Sequence, residues 1–87
     1  MLSDQIDKAK RDETAMMELI NKFNPLFKMY AAKLNYEDAH SDILLYFIEL
    51  IKSFDLSNII QLNDAAVVSY INVSIKNFYY KKVQTIL

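Results

Sequence analysis

The chain contains no glycine and a single proline, Pro25, in 87 residues. Glycine enters positive-φ turns without steric cost, and tight two-residue hairpins depend on such turns. A chain without it has few ways to reverse direction between strands. It also lacks the glycine-rich loops that cradle phosphates in P-loop and dinucleotide-binding proteins. The backbone is therefore predicted to form helices joined by plain loops, and the fold class is all-α.

Eighty-seven residues make one domain, read as spanning positions 1–87, and a chain this short buries only about 60% of its unfolded surface. Hydrophobic residues make up 53% and charged ones 24%, which is the balance of a folded chain rather than a disordered one. Cysteine is absent, so disulfides, thiolate metal sites and thiol chemistry are excluded. The longest apolar run, ILLYFIELIKSF, is interrupted by Glu49 and Lys52 and falls short of a membrane span. The charged start, MLSDQIDKAKRDE, is unlike a signal peptide. Together these predict a cytoplasmic protein.

Helical spacing organises the rest. Ser3 is expected to cap a short first segment, and Asp12 to cap ETAMMELINKF, where Met16, Leu19, Ile20 and Phe23 share a face. Only one of the adjacent Met16 and Met17 is expected in the core. Asn24 and Pro25 then read as the start of a new helix, NPLFKMYAAKLN, with Leu26, Phe27, Tyr30 and Leu34 buried. Asn35 is expected to cap YEDAHSDILLYFIELIKSF, with Ile43, Phe47, Leu50 and Ile51 facing the core, widened by Leu44 and Ile48. Asp38, Ser41, Asp42 and Glu49 fall near its opposite side. DLSNIIQL reads as a loop or one short turn. Asn63 caps a last helix, from Asp64 to about Thr85, with Val67, Ile71, Ile75 and Phe78 inward. On another face of it Ser69, Asn72, Lys76 and Tyr80 recur. The expected architecture is a compact bundle of about four helices, the last two long.

Charge is unevenly divided. The net charge is −1, yet all eleven acids lie at or before Asp64, and the last 23 residues carry three lysines and no acid. Between Asn35 and Asp64 six acids face one lysine. Such asymmetry fits an acidic face for one partner and a basic end for another, or a solvated surface with uneven charge.

Catalytic groups are sparse. The one histidine, His40, lies near Asp38 and Asp42 with no second histidine to share a metal, and a closed zinc site needs four donors. Asp38 and Asp42, one turn apart, lack the further oxygen ligands that a hard cation requires. No serine stands at a suggestive spacing from His40. No enzyme activity, metal or cofactor is expected.

The stretch SYINVSIKNFYYKKVQ sets Lys76, Lys81 and Lys82 beside Phe78, Tyr79 and Tyr80. Lysines neutralise phosphates and release counterions, while rings stack on unpaired bases. Asn72 and Asn77 add amides able to read base edges. The same residues also suit a plainer role, in which Phe78 and one tyrosine complete the core and the lysines complement the helix dipole.

The order of these segments resembles the second conserved region of bacterial sigma factors, from about Glu13 to Lys82. In that family an acidic helix carries an Asp, a Gln three residues on and then a further acid before an apolar run. Asp38 and Asp42 stand at the two acidic positions, and Ser41 stands where Gln is usual. The family's next helix carries an aromatic residue and a basic–Asn pair, here Tyr70 and then Lys76 with Asn77. The earlier AMMELINKFNPLFKMYAAKL is similar to the family's opening helices. The resemblance is in particular to the divergent sigma factors that switch on toxin and bacteriocin genes in low-GC Gram-positive bacteria.

This resemblance implies a transcription-initiation module with two partners. The acidic helix would dock on the clamp of the RNA polymerase largest subunit through Asp38, Ser41, Asp42 and Glu49. The last helix would hold the non-template strand of the promoter's minus-ten element, through Tyr70, Asn72, Lys76, Asn77, Tyr79, Tyr80, Lys81 and Lys82. The chain departs from the family at Ser41 and in having lysines without arginine in its tail, so affinity for free DNA is expected to be low. The helix-turn-helix that reads the upstream element is expected from a further segment or a second chain. An alternative is a small helical regulator that binds protein alone. The transcription reading needs the anionic helix and the lysine–tyrosine helix on separate outer surfaces.

Overall fold

The computed structural model describes residues 2–54 and 63–86. Four helices account for nearly all of these: α1 (Leu2–Ala9), α2 (Glu13–Leu34), α3 (Ala39–Lys52) and α4 (Asp64–Ile86). No strand occurs among the described residues. The all-α bundle that the lack of glycine predicts is the fold observed. The segment read as a loop, DLSNIIQL, lies outside the described residues.

Start signals hold at two helices and fail at two. Asp12 accepts a hydrogen bond from the Thr14 amide at 2.9 Å, capping α2. Asn63 accepts from the Ala66 amide at 2.8 Å, capping α4. Ser3, in contrast, lies inside α1, whose first residue is Leu2. The Leu2 amide instead donates to Asp64 Oδ1 at 3.0 Å, tying the start of α1 to the start of α4. Asn35 does not cap α3 either. It ends α2 in the left-handed conformation (φ 53°, ψ 44°), its amide donating to the Ala31 carbonyl. Asparagine is the residue best able to replace the glycine usual at that position. α3 begins after Asp38, which makes no side-chain cap.

The larger departure is at Pro25. Two helices were expected around Asn24, and α2 runs through as one helix of 22 residues. An interior proline costs about 3 kcal/mol. Against this, Met16, Leu19, Ile20, Phe23, Phe27, Tyr30 and Leu34 form one buried stripe with no break in phase across Pro25. Each is worth roughly 1.5–3 kcal/mol when fully buried, so the stripe outweighs the proline. Pro25 itself faces solvent.

The core gathers Ile6 from α1, the α2 stripe, Ile43, Phe47 and Ile51 from α3, and Val67, Ile71 and Ile75 from α4. Its centre is aromatic, with Phe47 5.0 Å from Phe27 and 5.5 Å from Phe23 between ring centroids. Leu26, Leu44, Ile48 and Phe78, expected inside, are half-buried at its margin, and Leu50, expected inside too, is half-buried. Met16 is buried and Met17 exposed, the division expected of the pair.

Candidate functional site

The acidic candidates share the outer face of α3. Asp38, Ser41 and Glu49 are exposed and Asp42 is half-buried. Leu45 stands among them, three residues from Asp42 and four from Glu49, and is 58% exposed. Sequence reasoning passed over it because it belongs to neither the buried stripe nor the charged set. Its spacing from those acids was the available signal.

Asp42 is engaged inside the fold. The Tyr36 hydroxyl donates to its Oδ2 at 2.7 Å. Partial burial, that bond and the charges of Asp42 and Asp38 push the Tyr36 phenol up to about 12. Lys82 Nζ lies 3.9 Å from the same carboxylate oxygen, at the weak end of an ion pair. Beside it Tyr46 of α3 stacks on Phe78 of α4, centroids 4.6 Å apart and 26° between planes, and Lys82 lies 5.5 Å from the Phe78 ring. These side chains, with Leu45 and Glu49, line a shallow open depression between the two helices. The acidic face thus takes in Lys82 from the end of α4, which was expected apart from it, while Lys76, Tyr79 and Tyr80 cluster on another side, beside α2. The reason is geometric. Lys82 follows Phe78 by one turn and so shares the side of α4 that packs on α3, while Tyr79 and Tyr80 project away from it.

Those two tyrosines form a second cluster, with α2. Tyr30 is buried and lies 5.0 Å from Tyr79, which lies 5.6 Å from Tyr80. Lys33 Nζ sits 5.6 Å from the Tyr30 ring and 6.0 Å from the Tyr79 ring, and Lys76 Nζ 5.7 Å from the Tyr80 ring. These separations suit cation–π attraction. Exposure grades outward, from buried Tyr30 through half-buried Tyr79 to Tyr80 at 50%.

The remaining nucleic-acid candidates spread along α4. Asn72, Asn77 and Lys81 are exposed. Tyr70 is exposed too but stands apart, edge-on to Phe54 at 5.2 Å. Of the eight, the structure gathers Lys76, Tyr79 and Tyr80 into one cluster and turns Lys82 toward the acids. Lys33 and Tyr30 belong with that cluster and were not foreseen, since they lie more than forty residues away in sequence.

His40 pairs with Asn24 of α2, Nε2 and Oδ1 3.0 Å apart. No group of three or more potential metal ligands occurs among the described residues, and no helix among them is long and apolar enough to cross a membrane. No family model, curated protein or solved structure matches the chain.

Proposed function

We propose that the chain is a transcription-initiation module of the sigma region-two kind. It binds the clamp of the RNA polymerase largest subunit through the outer face of α3. It binds the unpaired non-template strand of the minus-ten element through the second half of α4. The observation that carries the reading is Tyr80, half-exposed with Lys76 against its ring and Tyr79 beside it. A base stacking on such a ring gains roughly 1–3 kcal/mol, and the lysine neutralises a neighbouring phosphate. Flipping a base out of the duplex costs a few kcal/mol, which these contacts offset.

Fluorescence anisotropy with a labelled single-stranded minus-ten oligonucleotide tests the DNA half. Binding should weaken as salt rises, and Tyr80→Ala should reduce affinity roughly tenfold. Co-purification with polymerase tests the other half. Asp42→Arg, alone or with Asp38→Arg, should abolish it. Because Asp42 also holds Tyr36 and Lys82, Glu49→Arg provides a variant on an exposed site. Undiminished co-purification of all three would defeat the polymerase assignment.

Leu45 favours the second reading, a regulator that binds protein alone. An exposed leucine flanked by Asp42 and Glu49 and bordered by Tyr46 and Phe78 suits a protein partner without any nucleic acid. That reading expects no preference for single strands and no effect of Tyr79→Ala or Tyr80→Ala.

A further inference from the structure

We infer that Lys33 of α2 is part of the nucleic-acid interface, contacting one phosphate of a bound single strand while Lys76 contacts another across the Tyr79–Tyr80 pair. The inference rests on the nucleic-acid half of the proposed function and adds to it a cation from another helix.

Three observations converge. The first is position: the rings and cations run in sequence from Lys33 to Tyr79, Tyr80 and Lys76, each neighbour within 6.0 Å of the next. A strand stacking a base on either tyrosine brings its backbone within reach of one or both amines. The second is availability. Lys33 is exposed, and no acid lies within ion-pairing distance of it among the described residues. Arg11 and Lys82, by contrast, pair with Asp7 and Asp42.

The third is support from beneath. Tyr30 is buried in the core and packs its ring 5.0 Å from Tyr79, so Tyr79 and the Lys33 amine take their places from one fixed side chain. Tyr30 is a positioning residue in this arrangement. The dipole at the end of α2 accounts for a cation in its last turn. It does not account for an amine drawn over two rings, one of them on α4.

The salt dependence of binding separates a phosphate contact from general charge. For single strands, each neutralised phosphate contributes about 0.7 to the slope of log affinity against log salt. The full chain is titrated with the labelled minus-ten oligonucleotide over a salt series, with helicity checked by circular dichroism. Lys33→Gln, which removes the charge and keeps a polar side chain, should lower the slope by about 0.7. Lys76→Gln should do the same, and the double variant should lose about twice as much. Lys28→Gln, exposed on another face of α2, should leave the slope unchanged. A loss with Lys76→Gln and none with Lys33→Gln overturns the inference and leaves the proposed function standing. Equal small losses with Lys33→Gln and Lys28→Gln also overturn it, by assigning the effect to net charge. A wild-type chain with no binding or no slope removes the inference together with the nucleic-acid reading beneath it.

Discussion

Two groups of aromatic rings lie at opposite ends of a scale of exposure. Phe23, Phe27 and Phe47 meet at centroid distances of 5.0–5.5 Å in the middle of the bundle, Phe27 and Phe47 fully buried. Tyr30, Tyr79 and Tyr80 meet at 5.0–5.6 Å, almost the same spacing, but pass from buried to half-exposed and carry lysines against their faces. The pair geometry is shared, and the difference is the hydroxyl and the water. A phenylalanine has no polar atom to satisfy, so all three of them are buried. A tyrosine keeps one polar end wet, so a row of them forms a graded edge rather than a sealed cluster. The first group serves stability, and the second leaves ring surface available to a ligand.

Truncation should separate the two groups most strongly. Phe47→Ala removes a ring with no exposed surface and two ring partners, and should cost about 3–5 kcal/mol in urea denaturation. If it costs as little as a surface change, the phenylalanine cluster is not the centre of the fold.

An intermediate effect is expected at the polar margin, and there it should depend on pH. Tyr36→Phe removes the hydrogen bond to Asp42 and should cost about 1 kcal/mol near neutrality. The phenol holds its proton more tightly folded, up to about 12, than unfolded, at 10.0. Its contribution is therefore complete below pH 10 and drains away as pH rises toward 12, because the unfolded chain loses the proton first. The stability gap between wild type and Tyr36→Phe should narrow across that window, while the gap to Phe47→Ala stays constant. A Tyr36→Phe gap that holds steady would show that burial and the contact with Asp42 do not raise the Tyr36 phenol.

The smallest effect is expected at the outermost ring. Tyr80→Ala should change stability by no more than about 0.5 kcal/mol, although the same substitution should weaken oligonucleotide binding. A large loss of stability at Tyr80 would place it with the phenylalanines and remove the distinction between the groups.

Much of this was legible along the chain. Missing glycine excluded tight turns, and apolar residues every three or four positions marked α3 and α4 and most of their buried faces. The caps at Asp12 and Asn63 were readable because a short side chain bonds an amide two or three residues on. Pro25 misled because local propensity marks it as a helix start, whereas an unbroken stripe on both sides of it was the stronger signal. Asn35 misled because asparagine suits both ends of a helix, and its positive φ made it an ending.

Periodicity and charge order reside in neighbours along the chain, so the linear sequence is enough to specify helices, the faces they bury, and which of them is acidic or basic. Which faces of different helices adjoin depends on how the stripes pack, and no local spacing encodes that. Packing alone set Lys82 against Asp42 and drew Lys33 over rings from two helices. Water exclusion favours burying the stripes in one mutual arrangement, and the outward-facing groups meet whatever that arrangement brings beside them.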